Sequence, residues 1–338
     1  MKISVILESN NSPETVLRLG KLAEEYGLGG VWVSNMSDAR DPFINFAQLG
    51  LATQRIRVGP IAVSPFELHP LKMTSSLLTL NELTHGRAQI VVGAGGGTAQ
   101  AMGVKPQRVV RAVRECFEII KAGATGKPVR YEGELFKVGW YNAAWAKSPP
   151  PIVYIGANGP QMLRAAARYA DGIMVSDFVI DRVCWARDII DESQQASGRD
   201  PTGFRMNNFW AWHVKDSAEE ALREARTWLA VRGTLYDHYL DDILEGKEKQ
   251  LVKDNINAFI RAYQKKSPDI DGVPDDIVDK IVRRCTSASP ATEIDYEIDR
   301  LQQFREAGLT EIALRLYDEP DKSIRLIGEK VVPALANL

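Results

Sequence analysis

Residues 85–98 read HGRAQIVVGAGGGT, a short β-branched run that breaks at once into glycine. An apolar run this short, bounded by turn residues, fits a strand buried on both faces, whereas a helix needs ten or more periodic positions. Working outward, the same unit recurs. Strand runs at Ile3 to Glu8, Gly30 to Ser34, Ile56 to Ser64 and Ala88 to Gly93 occupy the first part of the chain. Ile152 to Gly156, Gly172 to Ser176, Phe204 to Val214 and Glu311 to Leu316 supply the rest, with helix-like stretches between. Eight strands with helical crossovers predict an α/β fold of the TIM (β/α)8 barrel type. An open doubly wound sheet shows the same alternation but rarely needs eight regular units.

Helix signals agree. Ser12 and Pro13 open a stretch whose Val16, Leu19, Leu22 and Ala23 share one face, and Gly27 ends it. Asp41 and Pro42 open the next, Gly159 and Pro160 another, and Gly308 closes the helix before the last strand. From Gly233 to Pro290 the rhythm stops: the segment is charged, helical in pattern and without a strand run. It reads as a helical insertion between strands 7 and 8 of a single barrel domain spanning residues 1–338. Insertions at the C-terminal face of a barrel commonly shape its active site, which makes Tyr236, His238 and Tyr239 candidates to reach a pocket. A solvated helical decoration or a subunit contact is the alternative for this segment.

Composition removes several function classes. The chain has 338 residues, 45% hydrophobic and 25% charged, with a formal charge of −2, so nothing electrostatic favours a nucleic-acid partner. No stretch approaches the roughly 20 consecutive apolar residues that cross a bilayer, and the N-terminal run is too short for a signal peptide, so a cytoplasmic protein without a membrane partner is expected. Cys116, Cys184 and Cys285 are odd in number and widely spaced, which points to buried free thiols, not to disulfides or a metal site. No metal-ligand spacing, GxSxG elbow or phosphate-binding GxxxxGKS loop is present.

Barrel chemistry gathers where strands end. The candidates there are Glu8 with Ser9, Asn35 with Met36, Ser64, Gly93 to Thr98, Ala157 with Asn158, Asp177, Trp212 with His213, and Tyr317 with Asp318. The cluster Gly93, Ala94, Gly95, Gly96, Gly97 can lay backbone amides against a phosphate or a planar ring, although a glycine-rich turn is also simply a tight turn. The second loop, Gly156, Ala157, Asn158, Gly159, precedes a helix whose free N–H groups attract an anion, or else it is an ordinary cap. Taken together the two loops imply a phosphorylated cofactor. Trp140, Tyr141 and Trp145, ahead of the fifth strand, suggest the wall of a pocket for an apolar or ring-bearing compound, or a packed loop.

The ordered set WVSNMSDARDPF (32–43), IRVGPIAVSPFELHP (56–70), HGRAQIVVGAGGG (85–97), YIGANGPQML (154–163), ADGIMVSD (170–177), GLTEIALRLYDEP (308–320) and LIGEKVVP (326–333) resembles the luciferase-like superfamily of flavin and deazaflavin oxidoreductases. Within it the chain is most similar to the branch containing methylenetetrahydromethanopterin reductase, and the resemblance spans nearly everything outside the insertion. It implies a non-prolyl cis peptide at Ile61 and Ala62 backing the coenzyme ring, a coenzyme contact at Ser64, and phosphate-side contacts from Gly95, Gly96 and the Gly156 to Gly159 turn. It also implies that His69 orients a loop. Asn35 and Met36 stand where many relatives carry Asp then His, and Gly96 stands where an acid is frequent, so familiar proton-handling positions are blank. That leaves Glu8 as the leading acid or base, with Asn35 beside the coenzyme, and Asp177 as a further coenzyme-side candidate.

The resemblance implies hydride transfer between coenzyme F420 and a small organic substrate. An FMN-dependent monooxygenase supplied with reduced flavin by a partner reductase is the alternative, and a non-catalytic ligand-binding barrel is a lesser one. A homodimer built on early helices is the family expectation.

Overall fold

The computed structural model describes residues 1–241 and 243–336, and of His238 the backbone alone. Eight parallel strands form the barrel: β1 (Lys2–Leu7), β2 (Gly30–Ser34), β3 (Arg57–Ile61), β4 (Gln89–Val92), β5 (Ile152–Gly156), β6 (Gly172–Ser176), β7 (Arg205–Trp212) and β8 (Glu311–Arg315). They pair in the order β3, β2, β1, β8, β7, β6, β5, β4. The remaining join, β3 to β4, is made by bridges Val58 to Ala88 and Val63 to Val92, where the Val63 and Gly93 amides donate to Val91 and Val63 carbonyls, both at 3.0 Å. All eight expected runs are strands, trimmed by a few residues at their ends. β3 stops earlier than its apolar run, at Ile61, and the Ile61–Ala62 peptide is cis.

Side-chain alternation along each strand separates two cores. Val5, Val31, Ile90, Val153 and Ile173 face outward into the main core beneath the helices. Ile6, Trp32, Val91, Tyr154 and Met174 face inward and fill the barrel. Trp32 and Tyr154 meet edge to face at 5.6 Å, each fully buried. Burying such a side chain stabilises the fold by roughly 2–3 kcal/mol before entropy is counted. Gly59 allows the closest approach in the wall, since a Cβ there would lie 1.7 Å from the Gln89 carbonyl oxygen. Arg87, at the head of the stretch that set the fold, is buried and donates to the carbonyls of Ile56 (2.6 Å), Gly50 (2.9 Å) and Thr53 (2.7 Å), tying an early helix end to the mouths of β3 and β4.

Helix starts follow the sequence signals. The Ser12 side chain accepts from Thr15 N at 3.3 Å and opens helix Pro13–Glu25. Asp41 caps the amides of Phe43 and Ile44 at 2.9 Å, and Pro160 begins helix Pro160–Tyr169. Four findings amend the sequence reading. The insertion does contain a strand, Thr286–Ser287, which pairs in parallel with Ala211 and Trp212 and is too short to leave a periodic trace. Its small apolar core recruits Ala225 and Leu229 from before Gly233, so the helical excursion is anchored further upstream than its charge pattern indicates. Trp140 and Trp145 are 67% and 42% exposed. Trp140 lies in an antiparallel hairpin of Val129–Glu132 and Lys137–Tyr141 and Trp145 in the loop after it, so neither walls the rim cavity described below. Cys184 is exposed, while Cys116 and Cys285 are buried as expected.

Candidate coenzyme site at the barrel rim

At the C-terminal ends of β3 to β7 lies a cavity of about 350 Å³, within the usual size of a small-molecule site. Ile61 and Ala62 form one wall, Gly93 and Ala94 a second, Gly156, Ala157 and Asn158 a third, and Met174, Ser176 and Phe209 line the remainder. Only Asn158 and Ser176 bring polar side chains, so the slot is apolar with a few directional groups. Gly93 is required by close contact: a Cβ there would stand 2.8 Å from the Ala62 Cβ. The turn after Gly93 leads into a neighbouring hollow lined by Gly95, Gly96, Gly97, Gln100, Lys105 and Tyr236. Gly95 has φ +83°, and a Cβ on Gly96 or Gly97 would meet nothing within 4 Å, so this turn presents bare backbone beside one cation.

The two glycine turns read from sequence therefore meet over one cavity, because β4 and β5 are neighbours in the barrel although 59 positions separate Gly93 from Ile152. Asn158 joins them to the next strand, its Oδ1 accepting from Ser176 N at 3.0 Å. Gly159 precedes helix Pro160–Tyr169 with no side chain capping that end. Asn35 Nδ2 donates to the Glu67 carboxylate at 2.7 Å and to the Ala62 carbonyl at 3.3 Å.

Other candidates fall elsewhere. Ser64 is buried outside the lining, where its hydroxyl accepts from Phe66 N at 3.2 Å and sits behind Gly95. Asp177 is buried at φ +60° and its carboxylate is taken by Arg232 and by Gly233 N (3.2 Å). It faces the insertion, not the cavity. Glu8 sits at the end of β1, paired with Arg315 at 2.5 Å, while Arg315 also donates to Leu7 O at 2.6 Å and Ser34 Oγ at 3.2 Å. His69 caps helix Pro70–Leu83 by accepting from Leu71 N at 3.2 Å and packs edge-on against Phe136, a loop-orienting arrangement. His213 is a fully buried histidine, bonded through Nδ1 to Glu224 at 2.6 Å and stacked on Tyr317; burial lowers its pKa, and Glu224 opposes that. Trp212 is buried. Of the insertion residues, Tyr236 lines the hollow over the glycine turn, Tyr239 donates to the Ser176 carbonyl at 2.5 Å, and the His238 side chain lies outside the described residues.

Glu67 is the residue that sequence reasoning missed. It lies in the loop after β3, bound by Asn35 and, more weakly, by Ser64 N at 3.4 Å; burial pushes its carboxyl up from the ordinary range, with both hydrogen bonds pulling the other way. The available signal was its place in SPFELHP, three residues beyond Ser64 in the segment carrying the resemblance. Among the described residues no cluster of His, Cys, Asp and Glu could hold a metal, and no helix is long and apolar enough to cross a membrane.

Fold and rim together define a closed β/α barrel with a ligand cavity framed by two glycine turns. The profile of the luciferase-like monooxygenase family matches residues 1–311, and the chain belongs to that family. It is 29% identical over 329 residues to 5,10-methylenetetrahydromethanopterin reductase of Archaeoglobus fulgidus, covering 93% of this chain and 94% of that one. Its fold is similar to the coenzyme F420 dependent tetrahydromethanopterin reductase of Methanopyrus kandleri, with a TM-score of 0.82 at 22% identity, covering 98% and 99% of the two chains. It is also similar to an F420-dependent secondary alcohol dehydrogenase in complex with an F420–acetone adduct, with a TM-score of 0.75 at 19% identity, covering 99% of each.

Proposed function

We propose that the chain is an F420-dependent oxidoreductase transferring a hydride between the deazaflavin and a small organic substrate, working as a single barrel domain in the cytoplasm. The observation that carries this is the convergence of the Gly93 and Gly156 turns on one apolar slot. The residues present fit such a coenzyme. A flat ring suits the cavity between Ala62, Gly93, Gly156 and Phe209, with Asn158 and Ser176 as its directional partners. A phosphorylated tail suits the bare amides of Gly95 to Gly97 with Lys105 beside them. When bound, the deazaflavin supplies two electrons as a hydride.

The chain's own residues exclude water and manage one proton. Val91, Met174 and Phe209 keep the slot dry, which strengthens every polar contact inside it. Asn35 is a positioning residue: its amide joins the Ala62 carbonyl to the Glu67 carboxylate. Glu67, made harder to ionise by burial, is a carboxyl able to hold a proton near the slot, and Glu8, held by Arg315 outside the slot's lining, is the proton partner for a substrate that extends to the β1 side. The substrate enters from the side of the insertion, whose Tyr236 stands over the glycine turn. A homodimer is supported by Ile44 and Leu51, apolar side chains 74% and 63% exposed on the early helices, and light scattering of the eluted protein tests it.

Family membership also favours a second reading, an FMN monooxygenase supplied by a partner reductase. Titrating the protein with F420 and with FMN, followed by absorbance and fluorescence, separates the two. F420 binding supports the proposal, and tight FMN binding without F420 binding overturns it. Binding of neither coenzyme would mark a barrel without this chemistry.

A further inference from the structure

The pole of the barrel opposite the glycine turns holds a second cavity, of about 420 Å³. It is bounded by the N-terminal ends of six strands, with Ser4, Gly30, Arg57, Gln89, Arg205 and Glu311 in its lining and the Trp32 ring in its wall. This end of a β/α barrel is normally read as structural, so charges there call for an account.

The charges do not balance. Glu311 is the inward carboxylate, and its oxygens are already taken by Arg205, by the Tyr154 hydroxyl at 2.6 Å and by Asn207 Nδ2 at 3.4 Å. Glu24, the other acid lining the cavity, accepts the backbone amides of Gln54 (2.9 Å), Arg55 (2.6 Å) and Ile56 (2.9 Å). Arg57 is left over. Its guanidinium has no ion pair and no hydrogen bond among the described residues, and its Nη1 is buried without a partner. Burial lowers its pKa and repulsion by Arg205 adds to that, while attraction to Tyr154 and Glu311 offsets only part of the shift. A buried, unsatisfied guanidinium nitrogen is costly, and a bound ion or water is the ordinary way in which that cost is relieved.

We propose that the N-terminal mouth of the barrel binds a small oxyanion, a phosphate, sulfate or carboxylate group, gripped by Arg57 and Arg205. An oxyanion would take the unused Arg57 donors in the planar fork that guanidinium offers, and would relieve the repulsion between the two arginines. Glu311 bonds Arg205 directly and acts on Arg57 only by attraction through space, leaving the Arg57 donors unbonded. Because this cavity lies at the other end of the strands from Ala62 and Gly93, its occupancy is independent of coenzyme binding at the rim.

The test uses the full chain with inorganic phosphate as probe, titrated calorimetrically against chloride at matched ionic strength, and crystals soaked in selenate for anomalous scattering. The expected result is a selenate peak beside Arg57 and Arg205, and a phosphate affinity weakened by about tenfold or more in Arg57→Gln, with Arg261→Gln, an exposed arginine elsewhere, unchanged. Arg57→Lys keeps the charge without the fork, so it should bind more weakly than the parent and more strongly than Arg57→Gln; it also serves if the glutamine variant does not fold. No peak at this mouth, or an affinity equal in Arg57→Gln and the parent, overturns the proposal. Phosphate held only at the glycine turns would show as a peak at the opposite rim and would overturn it equally.

Discussion

Replacing Asp177 by alanine should be among the most damaging single changes in the barrel, for reasons of charge and not of coenzyme contact. Asp177 and Arg232 are 1% and 2% exposed, and Arg232 reaches Asp177 Oδ1 through both Nε (3.0 Å) and Nη2. Among the described residues Arg232 has one other partner, the Cys285 carbonyl at 3.0 Å, and its Nη1 has none. Asp177→Ala therefore strands a buried guanidinium and frees the Gly233 amide at the start of the insertion. Removing one partner of a buried pair costs about 3–5 kcal/mol. At roughly 2 °C per kcal/mol for a chain of this size, Tm falls by about 6–10 °C. The double variant Asp177→Ala with Arg232→Met removes the orphan charge as well and should recover most of the loss, because a hydrophobic replacement of a whole buried pair is often neutral. Thermal melts and urea titrations of the parent, both single variants and the double variant close the cycle. A cost below about 1 kcal/mol for Asp177→Ala, or a double variant no more stable than the single one, would refute a stranded Arg232 charge as the source of the loss. Coenzyme affinity of the double variant supplies the second readout: unchanged binding is expected, and a large loss would place Asp177 in the coenzyme site after all.

Glu67→Gln should alter the pH dependence of stability. Burial raises the folded-state pKa of Glu67, so as pH rises past the ordinary glutamate value of about 4.3 the unfolded chain ionises first and the parent loses stability that the glutamine variant keeps. The variant's advantage at neutral pH should shrink as pH falls through that range, and a difference constant with pH in urea midpoints contradicts this. Gly93→Ala places a Cβ 2.8 Å from that of Ala62 and should weaken coenzyme binding by about tenfold while costing about 1–3 kcal/mol of stability, so a Kd within twofold of the parent in the folded variant argues against the slot. Glu115→Ala removes the acceptor of the Glu134, Leu135 and Phe136 amides (2.9, 3.0 and 2.9 Å), which should cost about 2 kcal/mol and speed hydrogen exchange at those amides selectively; unchanged protection there would show that the hairpin holds without it.

Which parts of this molecule were legible in its sequence follows from the range of the interactions involved. Strands such as Gln89–Val92 announce themselves because both faces are buried, and starts such as Ser12 with Pro13 because capping is local. The hairpin around Gly133 had a usable signal, the alternation of Val129 and Tyr131 against Val138, which the aromatic residues obscured by suggesting a pocket wall. Thr286–Ser287 had none, since two residues show no period. Asp177 was correctly placed at a strand end by spacing, yet its counter-ion lies 55 positions away, and no local pattern connects them. Glu67 escaped for a related reason: its hydrogen bond to Asn35 spans 32 positions and exists only because β2 and β3 are neighbours in the closed barrel.

The same long-range contacts decide what the insertion is. A lid that opens needs a boundary of few and weak contacts. Here the Arg232 guanidinium is buried against Asp177, the Tyr239 hydroxyl reaches the Ser176 carbonyl at 2.5 Å, the Tyr239 ring meets Phe178, and Thr286–Ser287 extends the sheet beside β7. Both ends of the excursion are thus built into the barrel, one through a buried ion pair and the other through strand pairing. Between them, helices Gly246–Asp254, Ile256–Lys265 and Asp275–Cys285 share an apolar core of their own. The segment is thus a built-in part of the barrel wall, and its Tyr236 lines a hollow together with the Gly95 to Gly97 turn, which follows directly on the Gly93 and Ala94 of the slot.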